Sequence, residues 1–339
     1  MTSTIRLAAC LAALFAACLS SCSKKSSPDG GGTSVSSSKY VVDTYAKSPT
    51  GLFYDLEEMC VDDKGVLYVS QTQYDNILKI DPILQTIGNF AGMAKTAGCV
   101  DDPFGSGAPS LTFPGNLWIN NDNLIFIGDY GCGKAKVATT TGILSSVEYE
   151  NPYNLDPGVS GACEDYEQNI YLYGTYTGLY EVRASDHVLV SVVDDTNLGI
   201  IGSMTMDNND KNVYLSASHQ VFELSEGSLR SIAGNPNQIG NVDGQGKSAA
   251  FGGYMVICMG GDGNIYVADT NDNTIREVTP NGVVTTIAGD GNAGYTDGSG
   301  DKAEFNSPRG IAYASTGDGN VLYVSDNGNN VIRRIKLPK

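Results

Sequence analysis

The side chains best suited to chemistry are few and scattered. The two histidines are His187, beside a charged turn, and His219, in Ala217-Ser218-His219-Gln220. Neither belongs to a His-x-x-x-His or pairs with closely spaced cysteines, so no zinc-type ligand set is spelled out. No Gly-x-Ser-x-Gly elbow offers a serine nucleophile. Acidic turns at Asp207-Asn208-Asn209-Asp210 and Asp269-Thr270-Asn271-Asp272-Asn273 lack the central glycine and distal glutamate of a calcium hand, and ordinary strand turns use the same residues. What remains is a set of polar and aromatic residues whose value depends on where the fold puts them. Glu58, Asn116 and Arg309 stand at the starts of apolar runs, and Tyr74, Tyr130 and Tyr176 stand in polar turns.

The elements that must position these residues come from an internal repeat. Gly263-Asn264-Ile265-Tyr266-Val267-Ala268-Asp269, followed by Asn273-Thr274-Ile275-Arg276, is echoed by Asn320-Val321-Leu322-Tyr323-Val324-Ser325-Asp326, followed by Asn330-Val331-Ile332-Arg333. The better copy reads as four short strands. An apolar strand at Met255 to Met259 precedes a turn at Asp262-Gly263, then come Ile265 to Ala268 and Ile275 to Val278. Last is the β-branched run Val283-Val284-Thr285-Thr286-Ile287-Ala288. Nothing in the unit has a helical pattern. Marker aromatics Tyr68, Phe126, Tyr171, Tyr214, Tyr266 and Tyr323 extend the rhythm along the chain at spacings of 58, 45, 43, 52 and 57 residues, with the variation confined to loops.

Gly-Asn-Ile-Tyr-Val-Ala-Asp, Asn-Thr-Ile-Arg and Val-Thr-Thr-Ile-Ala-Gly together resemble the NHL repeat. The linker Asp297-Gly298-Ser299-Gly300, Ala303-Glu304-Phe305 and Pro308-Arg309-Gly310-Ile311 is similar to the connection between NHL blades, with a partial copy at Asp243-Gly244-Gln245-Gly246 to Phe251. The resemblance implies an all-β, six-bladed β-propeller of four-stranded antiparallel blades. Asp129, Asp269 and Asp326 follow the marker strand in three units, where such a residue accepts hydrogen bonds from turn amides; Gln71, Gly174 and Ala217 replace it in the others.

In that frame the first strand of each blade begins at the mouth of the central channel. Counting back 9 residues from the marker aligns Met59, Leu117 and Ala162, preceded by Glu58, Asn116 and Gly161; Ser203 and Gly310, with Arg309 adjacent, reach the same mouth from the fourth and sixth blades. An acid and an amide converging there are similar to the gluconolactonase-type propellers. That implies, as an alternative, a divalent metal such as calcium held by Glu58 and Asn116, although no Asp ligand from later blades is evident. The peptidylglycine amidating lyase, an NHL-like propeller enzyme, uses several histidines that this chain does not supply. Against these enzyme readings, Glu58 reads most simply as a solvated carboxylate at the channel mouth.

The turns between second and third strands carry Tyr74, Tyr130, Tyr176 and His219, all expected on the same face as Glu58 and Asn116. Such rings suit a sugar or protein surface. Cys99, in the loop leading to the second blade, and Cys132, in that blade's turn, emerge on one face and form a possible disulfide if loop geometry brings their Cα atoms within about 7 Å. Cys60, Cys163 and Cys258 lie in apolar first strands and read as buried thiols.

The N-terminus has the form of an export signal. Arg6 precedes an apolar run of 13 residues from Leu7 to Leu19, and Leu19-Ser20-Ser21-Cys22 matches the bacterial lipobox. The expected division is a lipoprotein signal peptide at 1–21, a lipid-anchored tether at 22–38 and the propeller at 39–339. Cys22 is the lipidation site, and the Ser, Gly and Lys-rich tether reaches at most about 50 Å. Ser23 after the cysteine is not the aspartate linked to inner-membrane retention, which points to the outer membrane. A net charge of -17 opposes phosphate backbones, and no basic stripe overrides it, so nucleic acid is excluded as a partner.

The sixth unit ends before a fourth strand, whereas Val41-Val42-Asp43-Thr44-Tyr45-Ala46 repeats the Val283 to Ala288 pattern. Pairing of this N-terminal strand with Val331 to Ile335 is expected to close the ring. The expectation for function is an envelope-anchored, non-catalytic module without a cofactor, binding a glycan, peptide or partner protein and touching the membrane through its lipid alone. The rival is a metal-dependent lactonase- or lyase-like enzyme at the channel mouth.

Overall fold

The computed structural model describes residues 39–338 apart from 49–50, 106–108, 153–157, 175–177, 194–197, 208 and 210. The signal-peptide and tether expectations therefore fall outside the described residues. The chain forms six antiparallel sheets arranged as a six-bladed β-propeller, five built on four consecutive strands and the sixth on three consecutive strands and the N-terminal one. The innermost strands are Leu56–Val61, Pro114–Ile119, Val159–Glu164, Ile201–Met206, Met255–Met259 and Pro308–Thr316. Each lies against its neighbours around the ring, and the last returns to the first. The only helical pieces between described strands are single 3-10 turns such as Thr270–Asp272, closed by Asn273 at φ 53°.

The core lies between the blades. Six apolar clusters each join one blade to the next; the one linking blades 6 and 1, for example, contains Leu56, Val69, Leu78, Val321, Tyr323 and Ile332. A strand alternating apolar residues on both faces suits this position, because both sides of every blade meet another blade. No blade can bury its own faces alone, so the ring must close for any of them to be stable.

Closure follows the expected pairing. Val41–Lys47 runs antiparallel to Val331–Lys336, with Val42 opposite Ile335 and Thr44 opposite Arg333. Its register slips at Tyr45, as the outer strands of blades 1, 3, 4 and 5 slip at Phe90, Val192, Ile232 and Ile287. The N-terminal strand thus reproduces the outer-strand bulge of the other blades. Asp43 binds the Arg334 guanidinium at 2.9 and 2.6 Å. Tyr40 is buried in the cluster between blades 5 and 6 and donates to Glu277. The linker also adds short fifth strands, Gly244–Gln245 and Gly298–Ser299, on the outer edges of blades 5 and 6.

The repeated aspartates accept turn amides as expected: Asp129 from Thr112, Asp269 from Gly252 and Asp326 from Asn306. They also face a buried cation, which the pattern of turns did not reveal. Lys136, Arg276 and Arg333, each fully buried, lie 3.7, 3.3 and 2.9 Å from Asp129, Asp269 and Asp326. A second carboxylate from the preceding linker, Asp101, Asp243 or Asp297, binds the same cation and a backbone amide of the outer strand, at Ser146, Thr286 or Thr44. The linker aspartate is therefore a clasp joining the third strand to the fourth. Cys99 and Cys132 form a disulfide with Cα atoms 5.7 Å apart. Cys60 and Cys163 are buried, and Cys258 is half-buried.

Candidate functional site

Five of the six inner strands carry a register shift near their first residues. In blade 1, Leu56 pairs with Gln71 and Met59 with Val69, leaving Glu57 and Glu58 in the irregular stretch. Gly115 and Asn116, Ser160, Gly202 and Arg309 occupy the same place in blades 2, 3, 4 and 6. A bulge of this kind turns consecutive side chains away from strict alternation and re-aims them. The count that aligned Met59, Leu117 and Ala162 matches their pairing with Val69, Ile127 and Leu172.

Turn residues fasten this end of three inner strands, in blades 1, 2 and 6, to the preceding blade. Thr72 donates to the Pro114 carbonyl, Thr270 to Pro308 and Asn327 to Leu56. The second-to-third-strand turns and the inner-strand starts therefore share one face. At the blade 4 bulge, the Tyr173 and Tyr254 hydroxyls both donate to the Gly202 carbonyl, at 3.1 and 3.4 Å. Gly161 leaves room for Tyr173 and Asn116: a Cβ there would stand 2.3 Å from the Tyr173 ring and 2.7 Å from Asn116 Cβ. Gly310 likewise lets blade 6 approach blade 1, where a Cβ would sit 2.1 Å from the Glu57 carbonyl.

Glu58 corrects the expectation of a solvated carboxylate. It is 4% exposed, and burial raises its pKa well above the usual carboxylate range, with the charge of Glu57 adding to the rise and a hydrogen bond from Asn116 opposing it. Asn116 is also buried. Glu58 Oε1 and Asn116 Oδ1 have no protein partner. Glu57, which the sequence reading passed over, pairs with Arg309. Burial lifts the Glu57 carboxyl to about 7, against the pull of the guanidinium. Arg309 lies 5.9 Å from the Tyr254 ring centroid, and its Nε is buried without a protein partner.

The turn aromatics are less uniform than expected. Tyr74 and Tyr130 are half-buried in 3-10 turns, and Tyr176 lies outside the described residues. His219 is half-buried in a tight turn with Ser218, at φ 64° and 46°, and its Nδ1 is buried without a protein partner. Tyr54, also missed in the sequence, stacks on Tyr74 with ring centroids 4.7 Å apart. His187 is remote from all of these. It lines a shallow cavity of about 260 Å³ with Glu148, Glu164 and Arg183, at the opposite end of the blade 3 strands.

A divalent cation fits the mouth poorly. Glu58 and Asn116 offer two unpartnered oxygens, but the nearest further carboxylate, Glu57, is engaged by Arg309. Among the described residues no three His, Cys, Asp or Glu side chains are grouped to hold a metal. Hydroxyl or amide groups of a bound molecule match the same atoms without that deficit.

No protein-family model and no curated protein matches the chain. Solved structures do resemble it. An auxiliary nutrient binding protein from Bacteroides ovatus is 19% identical with a TM-score of 0.67, over 87% of this chain and 76% of that one. A streptogramin B lyase is 14% identical with a TM-score of 0.58, over 88% and 98%. A putative gluconolactonase is 9% identical with a TM-score of 0.57, over 88% and 92%. At these identities the similarity is one of fold, and it spans binding proteins and enzymes alike.

Proposed function

We propose that the protein is an NHL-type propeller, lipid-anchored through Cys22 in the bacterial envelope at the outer membrane, that acts as a non-catalytic binding module. Its ligand, a glycan, peptide or partner protein, sits at the channel mouth. One observation carries the reading: Glu58 Oε1, Asn116 Oδ1 and Arg309 Nε, from three blades, are buried at one mouth and lack protein partners. Unmatched buried polar atoms are costly, and a ligand that meets them gains specificity from that cost. The nutrient-binding neighbour supports a binding role for this fold.

The test is binding of the full chain, purified in a detergent without sugar groups, to an array of oligosaccharides and short peptides. Arg309→Ala is expected to weaken any specific binder by about tenfold or more, as loss of a charge-assisted hydrogen bond does, with binding compared at a temperature where both proteins are folded. Binding indifferent to both Arg309→Ala and Asn116→Ala rejects the mouth as the site. The second reading, a metal-dependent lactonase- or lyase-like enzyme, would have to rest on the two unpartnered oxygens of Glu58 and Asn116. A stoichiometric divalent ion in the purified protein, lost in Glu58→Ala, would establish that reading instead.

A further inference from the structure

We infer that Tyr54 and Tyr74 form the stacking platform of a carbohydrate subsite, on which a neutral sugar ring lies against Tyr54 while its hydroxyls meet Asp55 and the Glu57–Arg309 pair. The inference rests on the channel-mouth reading and gives its ligand a chemical class. The two tyrosine rings are nearly parallel, 6° apart, with centroids 4.7 Å from each other. The Lys95 ammonium lies 4.8 Å from the Tyr74 ring centroid, so Tyr74 is engaged by two neighbours. Tyr54 is 43% exposed and leaves apolar ring surface in water.

The platform is held rigidly. Gln71 Nε2 donates to the carbonyls of Leu52 and Tyr54 at 2.8 and 2.9 Å, and the Gln73 amide donates to Asp55 at 3.1 Å. Asp55 adopts the left-handed conformation, at φ 49°, between the exposed ring of Tyr54 and buried Glu57. The same conformation precedes the inner strands of blades 2 and 6, at Phe113 and Ser307, so the turn that carries Tyr54 is set by the blade itself. Asp55 acts electrostatically on both Glu57 and Arg309, which joins the platform to the mouth.

The occupant follows from charge and shape. A pyranose presents a flat C–H face to an aromatic ring, and its adjacent hydroxyls fit the two-pronged geometry of carboxylate and guanidinium groups. An acidic ligand would meet a chain of net charge -17, and a cationic one would meet Arg309 and Lys95 at the site. A preorganised platform loses little entropy when the sugar binds.

The experiment is saturation-transfer NMR on the full chain in a detergent without sugar groups. The probes are maltohexaose, cellohexaose, laminarihexaose, xylohexaose and mannohexaose at millimolar concentration. At least one is expected to bind, with Tyr54→Ala lowering its affinity about tenfold, a loss in the range of one stacking contact. Tyr54→Phe is expected to retain both affinity and the wild-type thermal midpoint, and binding of Tyr54→Ala is measured well below its own midpoint. Failure of every sugar to bind, or binding unchanged by Tyr54→Ala, overturns the inference. If Tyr54→Ala is silent but Arg309→Ala abolishes binding, the channel-mouth function stands without the platform. If both are silent, neither reading survives.

Discussion

Blades 2, 5 and 6 bury a cation against an aspartate, whereas blades 1, 3 and 4 have neither at the matching positions. The paired residues are Asp129 with Lys136, Asp269 with Arg276 and Asp326 with Arg333; their counterparts are Gln71 with Leu78, Gly174 with Tyr180 and Ala217 with Phe222. Both members are present or both are absent. A buried ion pair and an apolar pair of similar volume give comparable stability, but either charge left alone is strongly destabilising. Burial lifts Asp129 to about 6 and Asp269 to about 7 despite the cation beside each. Their distinct contribution is geometric, because the linker aspartates use the same cations to hold the outer strands.

The contrast is greatest at blade 6, where the clasp also closes the ring. Deleting residues through Ala46 removes the outer strand, the Thr44 partner of Asp297, and the buried side chains of Tyr40 and Val42. We expect this truncation to lose cooperative unfolding altogether, whereas deletion through Ser38 should leave the denaturation midpoint almost unchanged. Equal midpoints for the two truncations would show that the clasp closes nothing.

Next in size is the cost of separating a pair. Arg333→Met leaves Asp326 buried without its cation and should destabilise the domain by about 3–5 kcal/mol, measured by chemical denaturation. Adding Asp326→Ala, and placing Phe at 333, transplants the blade 4 arrangement of Ala217 and Phe222 and should recover more than half of that loss. A double variant as unstable as Arg333→Met alone would mean that the two blade types are not alternative solutions to one packing problem.

The strands of blades 5 and 6 were legible because apolar and β-branched runs there are separated by Asp-Gly and Asn turns, and the closing strand because it copies Val283–Ala288. The clasp was written at a fixed offset, with Lys136, Arg276 and Arg333 each 10 residues after the marker aromatic, but Lys in blade 2 hid the likeness to Arg. The mouth was half legible. Counting back from the marker found Glu58 and Asn116, yet a bulge breaks the two-residue period, so Glu57 could not be assigned a side of the strand. Tyr54 and Tyr254 were missed because they precede their strands, where periodicity carries no information and only tertiary approach gives them neighbours.

Glu58 supplies the smallest and sharpest extension of the comparison, since it is a buried carboxylate in a blade that has no buried cation at its clasp position. Burial raises its pKa well above the usual range, so the folded protein keeps this proton to a higher pH than the unfolded chain does. Its favourable contribution is complete below the unfolded glutamate pKa of about 4.3 and is lost as pH rises through the folded value. Glu58→Gln mimics the protonated form and does not titrate. The variant and the wild type should therefore melt alike near pH 4, and the variant should melt higher at pH 8. The clasp aspartates titrate in both proteins and largely cancel from the difference, whereas Glu57, raised to about 7, adds to the penalty on Glu58 as it ionises. Paired thermal melts across that range measure it directly. A difference independent of pH would mean that Glu58 is ionised in the fold, with a cation or solvent at the mouth supplying what Lys136, Arg276 and Arg333 supply in the clasped blades.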